Sequence, residues 1–143
     1  MLLSRLMRLS DDEPESARIG TVRAISGFLA RNGFKVVADY TVDGLSGYNH
    51  HFHLYARRGE IRILIDVPRD VFELLASLAK RIDVRGFDFL IVVEKRLVQD
   101  ILPEVAVPEG EVLERATFIV FDGIEDMLNR LQHYLTAKAS QGE

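Results

Sequence analysis

The most constraining feature of the sequence is a near-continuous apolar run at residues 87–95, FDFLIVVEK. A strand of this composition has no polar face to turn to water, so it needs cover on both faces. Such strands are typical of the middle of α/β sheets. A second short apolar run, ATFIVFD at residues 116–122, follows a segment that predicts a short helix. The two runs therefore indicate neighbouring strands in a βα arrangement.

The preceding half of the chain predicts a helix followed by three strands. Apolar residues recur at helical spacing in residues 14–33, with Pro14 in the first turn and an Asn-Gly stop. FKVVADYTV, HHFHLYARR and EIRILIDV are rich in β-branched and aromatic residues. A tight turn at residues 58–60 joins the last two strands, which predicts an antiparallel hairpin.

Two further helices complete the expected order α-β-β-β-α-β-α-β-α. Residues 69–82 have an apolar stripe that is expected to face the core, made of Val71, Leu74, Leu75, Leu78 and Ile82. Residues 123–139 predict the closing helix. VPEGEVLER, at residues 107–115, is expected to be a loop. The order predicts an α/β fold: a mixed central sheet, made of a β-hairpin meander plus βα units, with helices on both faces.

Length and composition limit the class of protein. A chain of 143 residues with 48% hydrophobic residues fits one globular domain at residues 1–143, with an N-terminal arm at 1–13 and a flexible tail at 139–143. The absence of cysteine excludes disulfides and thiolate metal sites, and favours a cytoplasmic location. No apolar segment approaches the roughly 20 residues needed to span a bilayer, so no membrane partner is expected.

The charge distribution limits nucleic-acid binding. Net charge is −4, but residues 57–99 carry nine basic against seven acidic residues, whereas residues 100–143 carry three against nine. Because phosphate neutralisation supplies most of the affinity for nucleic acid, we expect any contact to centre on the middle segment and to be weak. The basic residues expected there are Arg57, Arg58, Arg62 and Lys80.

Three of the four histidines lie within four positions of one stretch. The loop and second strand contain SGYNHHFH at residues 46–53, and the third strand ends in ILIDVP at residues 63–68. With the predicted element order, these motifs resemble the restriction-endonuclease-like, PD-(D/E)XK, superfamily, in its Mrr-like and related archaeal nuclease-like branch. There the corresponding runs are roughly S-G-x-x-H-x-F-D and an apolar strand ending in acid-x-Lys. The resemblance covers about residues 15–122.

The resemblance implies a restriction-endonuclease-like core and a metal-dependent nuclease site, from which this sequence departs. The family holds Mg²⁺ with two carboxylates, one from each hairpin strand, beside a lysine. Here His53 stands at the first carboxylate position and Pro68 at the lysine position. Of these three family positions, only the second carboxylate is kept, as Asp66. Imidazole suits Mg²⁺ poorly, and proline cannot orient water. The sequence therefore predicts a catalytically degenerate protein, not an enzyme and without a cofactor, that acts as a binding or structural module.

An active nuclease with a rearranged site is the alternative hypothesis. Asp66 and His53 would be metal ligands for Mg²⁺ or Mn²⁺, and Lys80 would replace the missing lysine from the following helix. Against this, Glu73, Ser77 and Lys80 are spaced as one side of that helix, and a solvated polar stripe is the favoured interpretation.

The remaining candidate site residues are assigned to binding. These are Ser46, Gly47, His50, Arg57, Arg58 and Arg62. His50 is expected to bond loop backbone, and a small-ligand site in this loop is a third hypothesis. The partner is expected to be a protein or a nucleic acid, and the apolar N-terminal residues Leu2, Leu3 and Leu6 favour a homodimer.

Overall fold

The computed structural model describes the backbone of residues 2–101, 110–113 and 115–141, and the side chains of residues 16–99 and 115–140. The helices are α1 (Leu2–Arg31), α2 (Val71–Asp83), α3 (Lys95–Ile101) and α4 (Ile124–Gln141). The strands are β1 (Lys35–Asp43), β2 (Asn49–Arg58), β3 (Ile61–Asp66), β4 (Asp88–Glu94), β5 (Gly110–Leu113) and β6 (Ala116–Phe121).

The six described strands form one mixed sheet in the order β1-β2-β3-β4-β6-β5. Strands β1, β2 and β3 form an antiparallel meander, β3, β4 and β6 run parallel, and β5 is antiparallel to β6. Parallel neighbours require a crossover, which α2 supplies between β3 and β4, and α3 between β4 and β6. The predicted α/β class and mixed sheet are confirmed.

Strand β4 is buried on both faces, as its apolar run predicts. Leu90 and Val92 pack into a core cluster that contains residues of α1 and α4. Ile91 and Val93 point the other way, into a cluster that includes Val98 of α3 and partly buried residues of α2. Since successive side chains of a strand alternate between faces, the two clusters place helices on both sides of the sheet.

Three predicted boundaries differ from the structure. Helix α1 begins at Leu2, so the segment expected as an arm is helical and Pro14 lies within the helix. Helix α4 runs to Gln141, into the expected tail, and residues 142–143 lie outside the described residues. Strand β5 occupies part of the expected loop, because antiparallel pairing with β6 stabilises a strand that has little local signal.

No described helix combines the length and the apolar character needed to cross a bilayer.

The apolar stripe predicted for α2 is confirmed only in part. Leu74 and Leu78 pack against the core cluster that contains Ile91 and Val93, but other members of the stripe are exposed. Leu75 is 57% exposed and Ile82 is 63% exposed, and the neighbouring Phe72 is 79% exposed. Ser77, a polar residue of the same helix, is only 4% exposed. The helix begins after Asp70, whose side chain caps the amide of Glu73, and it turns a partly polar face toward the sheet.

Candidate functional site

The β2–β3 hairpin brings His53 and Asp66 together at its open end. In the antiparallel register Leu54 pairs with Ile65, so the next residues outward are His53 and Asp66. His53 Nδ1 lies 3.6 Å from Asp66 Oδ1. Both residues line a cleft of about 290 Å³. The predicted placement of this pair on adjacent strands, facing one cleft, is confirmed.

A change in side-chain direction at His53 shapes this cleft. In a regular strand, residues 52 and 54 would share a face. Here Leu54 packs with the α1 and α4 side of the core, whereas Phe52 packs with Leu64 and Phe89 on the other side. The residue opposite the break is Asp39, whose φ of 52° lies in the left-handed region. The local twist aims His53 at the cleft instead of placing it within either core cluster.

Asp66 is a buried carboxylate with two very different oxygens. Its side chain is 4% exposed. Oδ2 accepts hydrogen bonds from the Ser77 hydroxyl at 2.9 Å and from the Lys80 ammonium at 3.1 Å. Oδ1 has no hydrogen-bond partner among the described residues. The carboxylate is therefore neutralised on one side and unpartnered on the side that faces His53.

Lys80 is part of the cleft, which contradicts the interpretation of a solvated polar stripe. Its side chain is 20% exposed, and its ammonium bonds both Asp66 and the backbone carbonyl of His51. The same ammonium lies 4.9 Å from the centre of the Phe52 ring, within the range of a cation–π contact. The stripe faces inward because a buried carboxylate requires a nearby cation and hydrogen-bond donors.

His53 is neutral and has a defined tautomer. Its Nδ1 accepts a hydrogen bond from the backbone N–H of Val67 at 3.0 Å, so the ring proton is on Nε2. Burial lowers the pKa of His53 below its ordinary 6.5, against the opposing effect of the Asp66 charge. Because Nδ1 and Asp66 Oδ1 are both acceptors, their contact at 3.6 Å is not a hydrogen bond.

Glu73 lies in the same cleft but is bound by arginines. Arg18 of α1 donates to Glu73 Oε1 at 2.9 Å, and Arg69 contacts the same carboxylate through its backbone N–H and its Nε. Sequence reasoning did not single out Arg18, since α1 and α2 are distant along the chain and no local signal links them.

The donor set does not fit Mg²⁺. Magnesium requires near-octahedral coordination by oxygen, including carboxylates. Within the described part of the chain, no group of three His, Cys, Asp or Glu side chains is placed to hold a metal ion. Asp66 is paired with Lys80, Glu73 is paired with Arg18, and His53 presents nitrogen.

The loop residues predicted to bind a ligand instead join the β1–β2 loop to the end of α2. Asp83 accepts hydrogen bonds from the Ser46 amide at 2.9 Å and the Ser46 hydroxyl at 2.7 Å, and its Oδ2 lies 2.7 Å from His50 Nε2. These bonds, with those of Ser46 first, lower the pKa of Asp83 to about 2. His50 was expected to bond loop backbone, and that expectation is wrong.

Two glycines allow this clamp of Ser46, His50 and Asp83 to form. A Cβ at Gly44 would lie 1.9 Å from Asp83 Oδ2, so only glycine permits the carboxylate to approach. Gly47 has a φ of 88°, in the region that favours glycine. Asp83 was missed from sequence because it lies 37 residues from Ser46.

The three arginines of the hairpin do not form one patch. Arg58 lies over the Phe34 ring at 4.5 Å and donates to the carbonyl of Asn32. Arg62 lies over the Phe87 ring at 4.3 Å, and Phe87 belongs to the core cluster on the other face of the sheet. Arg57 is exposed. Arg58 is thus separated from the other two by the sheet.

Comparison with known proteins supports the fold alone. No protein-family model and no curated protein matches this chain. A crystal structure described as protein of unknown function AF1548 is similar, with a TM-score of 0.50 and 16% sequence identity. The similarity covers 78% of this chain and 66% of AF1548, slightly less than two thirds of that protein. At this identity, the likeness is one of architecture.

We predict that His53 titrates below pH 6.5 and stays neutral, with its proton on Nε2, in the folded protein at pH 7. Because the unfolded chain takes up this proton first, the contribution of His53 to stability decreases as pH falls from 6.5 toward its folded pKa. Long-range ¹H–¹⁵N NMR measures both tautomer and pKa, with exposed His133 as an internal reference. A proton on Nδ1, or a pKa above 6.5, would contradict the geometry.

Replacing Asp83 with Asn should destabilise the protein at pH 7 and have little effect near pH 2. The folded pKa of Asp83 is about 2 against an ordinary 3.8, so its stabilisation is present above pH 3.8 and is lost as pH falls toward 2. Urea unfolding at several pH values measures this difference. Glu60→Gln, at an exposed turn position, is the control and should give a flat difference.

Replacing Lys80 with Met should cost about 3 kcal/mol of unfolding free energy, because it leaves the Asp66 carboxylate buried without its cation. The double variant Asp66→Asn, Lys80→Met should recover part of that loss. Lys35→Met, at an exposed position, should change stability by less than about 0.5 kcal/mol. Equal effects of Lys80→Met and Lys35→Met would show that the pair is unimportant for stability.

Proposed function

We propose that this chain is a restriction-endonuclease-like protein that does not cleave nucleic acid and acts as a binding module. The observation that carries the proposal is the ion pair between Lys80 and Asp66. In the family that the motifs resemble, a carboxylate at this position binds a divalent cation. Here the Lys80 ammonium lies beside that carboxylate and donates hydrogen bonds to Asp66 Oδ2 and to the carbonyl of His51.

The surrounding residues support the same proposal. Phosphodiester cleavage by a metal needs an activated water and a cation at the developing charge. His53 offers one neutral nitrogen that already accepts the Val67 amide. Pro68 stands where the family has a lysine and offers no donor. Glu73, the other carboxylate that lines the cleft, forms an ion pair with Arg18.

An active metal-dependent endonuclease with the rearranged site of Asp66, His53 and Lys80 is the second candidate. Two observations favour it, and the first is that Lys80 reaches the cleft from α2, as this site requires. Asp66 Oδ1 is buried and unpartnered among the described residues, and it faces His53 across 3.6 Å. A buried acceptor without a donor costs free energy, so such atoms often mark a ligand position. Mn²⁺ accepts mixed oxygen and imidazole ligands better than Mg²⁺ does, which makes it the metal for this candidate.

The partner of the module is a protein or a nucleic acid. A homodimer through Leu2, Leu3 and Leu6 stays a prediction, since the side chains of these residues lie outside the described ones. A cytoplasmic location is likewise a proposal, supported by the absence of cysteine.

We predict no cleavage of single-stranded, duplex or branched DNA above background with Mg²⁺ or Mn²⁺. The reason is that the Asp66 charge is already neutralised by Lys80. The measurement is gel analysis of end-labelled substrates with wild-type protein and with Asp66→Asn as the matched control. Cleavage that Asp66→Asn abolishes would refute the proposal and establish the endonuclease, and such cleavage with Mn²⁺ alone would favour His53 as a ligand.

A further inference from the structure

Three basic side chains lie in a row across β1, β2 and β3, near the ends of the strands that are distant from the cleft. Lys35 of β1 pairs with Arg57 of β2, and Arg57 pairs with Arg62 of β3. Directly opposed residues of antiparallel strands place their side chains on the same face, with Cβ atoms roughly 5 Å apart. Like charges in that position repel one another, so the row is unfavourable for folding on its own.

No carboxylate offsets this charge within the part of the chain whose side chains are described. None lies within ion-pair distance of Lys35, Arg57 or Arg62. Lys35, Arg57 and Arg62 are exposed, and the guanidinium of Arg62 rests on the Phe87 ring. The nearby Asp88 does not neutralise these cations, because it forms ion pairs on the other face of the sheet, for example with Lys138 of α4.

Aromatic side chains adjoin the row on the same face. Tyr55 lies two residues before Arg57 on β2, and it contacts the edge of Phe87 with ring centres 5.9 Å apart. Tyr40 stacks on Tyr55 at 4.5 Å with an angle of 24° between the rings. Both tyrosines are partly buried, and Val37, the residue opposite Tyr55, is 46% exposed. This end of the face is therefore open to solvent.

We propose that this face binds single-stranded nucleic acid. Phosphates bind to the row of Lys35, Arg57 and Arg62, and bases stack against the Tyr40–Tyr55 pair. Cationic grooves combined with aromatic platforms are how proteins hold single strands without reading their sequence. The inference rests on the binding role proposed above and names the class of partner.

The geometry favours a single strand over a duplex. Adjacent strands are about 4.8 Å apart, so the row spans about 10 Å, which suits a short stretch of one backbone. Stacking on tyrosine requires unpaired bases, which a single strand offers and an intact duplex does not.

The face is separate from the cleft. Arg57 follows His53 by four positions on β2, and a strand rises about 3.3 Å per residue, so the row lies on the order of 13 Å from the His53–Asp66 pair. Loss of binding at the row therefore leaves the cleft and its chemistry unaltered.

Titration with an oligothymidylate of about twelve nucleotides tests the proposal. The chain has four tyrosines and no tryptophan, so a change in tyrosine emission reports stacking on one or more of the four. We expect quenching on binding, and a plot of log affinity against log salt with a slope of about −2, since three phosphates each contribute roughly −0.7. Tyr55→Leu should remove most of the quenching.

A matched pair of variants assigns the binding to this face. Lys35→Gln with Arg57→Gln should weaken binding at least tenfold at low salt and reduce the slope to about −0.7. These residues have no ion pair with described residues, so circular dichroism should show an unchanged fold. Arg23→Gln with Arg31→Gln removes the same charge from exposed positions of α1, on the other side of the sheet, and should leave binding unchanged.

Each other outcome overturns the inference. These outcomes are no binding, equal loss in both double variants, tighter binding of duplex than of single strand, and binding of an acidic peptide in place of the oligonucleotide. None of them bears on cleavage, so the proposed binding module then remains. Its partner is a protein if no oligonucleotide is bound, and a nucleic acid held as duplex or at another surface if one is. Metal-dependent cleavage of DNA, by contrast, would remove the proposed function while leaving this test of the face valid.

Discussion

The burial of one carboxylate determines how the second helix packs. Asp66 is 4% exposed at the end of β3, and an ionised group there is tolerated only with a cation and hydrogen-bond donors close by. Ser77 and Lys80 of α2 supply them. The rotation of α2 about its axis follows from this requirement, which is why Phe72, Leu75 and Ile82 face solvent although they are apolar.

The same end of α2 also organises β2 and the loop before it. Lys80 joins Asp66 to the carbonyl of His51, and Asp83, one turn later, holds Ser46 and His50. Two strands and a loop therefore depend on residues of a single helical segment. A divalent cation that bound Asp66 Oδ2 would have to displace an ammonium whose position is supported by both strands, which makes the pairing at that oxygen costly to reverse.

The sequence predicts the fold better than it predicts the site. Strand β4 and the hairpin follow from residue type and periodicity, and the hairpin alone places His53 against Asp66. Strand β5 was missed because its stability comes from pairing with β6. Lys80 was assigned to solvent because helical periodicity reports which residues share a face, and only tertiary structure shows which face meets a buried charge. Asp83 contacts residues too distant along the chain for any local pattern to reveal.

The distribution of charge explains how a protein with net charge −4 can attract an anion at one place. The acid-rich segment 100–143 contributes β5 and β6, at the opposite edge of the sheet from β1, and α4, on the opposite face from the row of cations. Four strand spacings separate β5 from Arg57, or about 19 Å. Since the Debye length is about 8 Å at physiological ionic strength, the charge at that edge is largely screened at the row. For the proposed binding at this face, local geometry and not net charge would therefore decide the affinity.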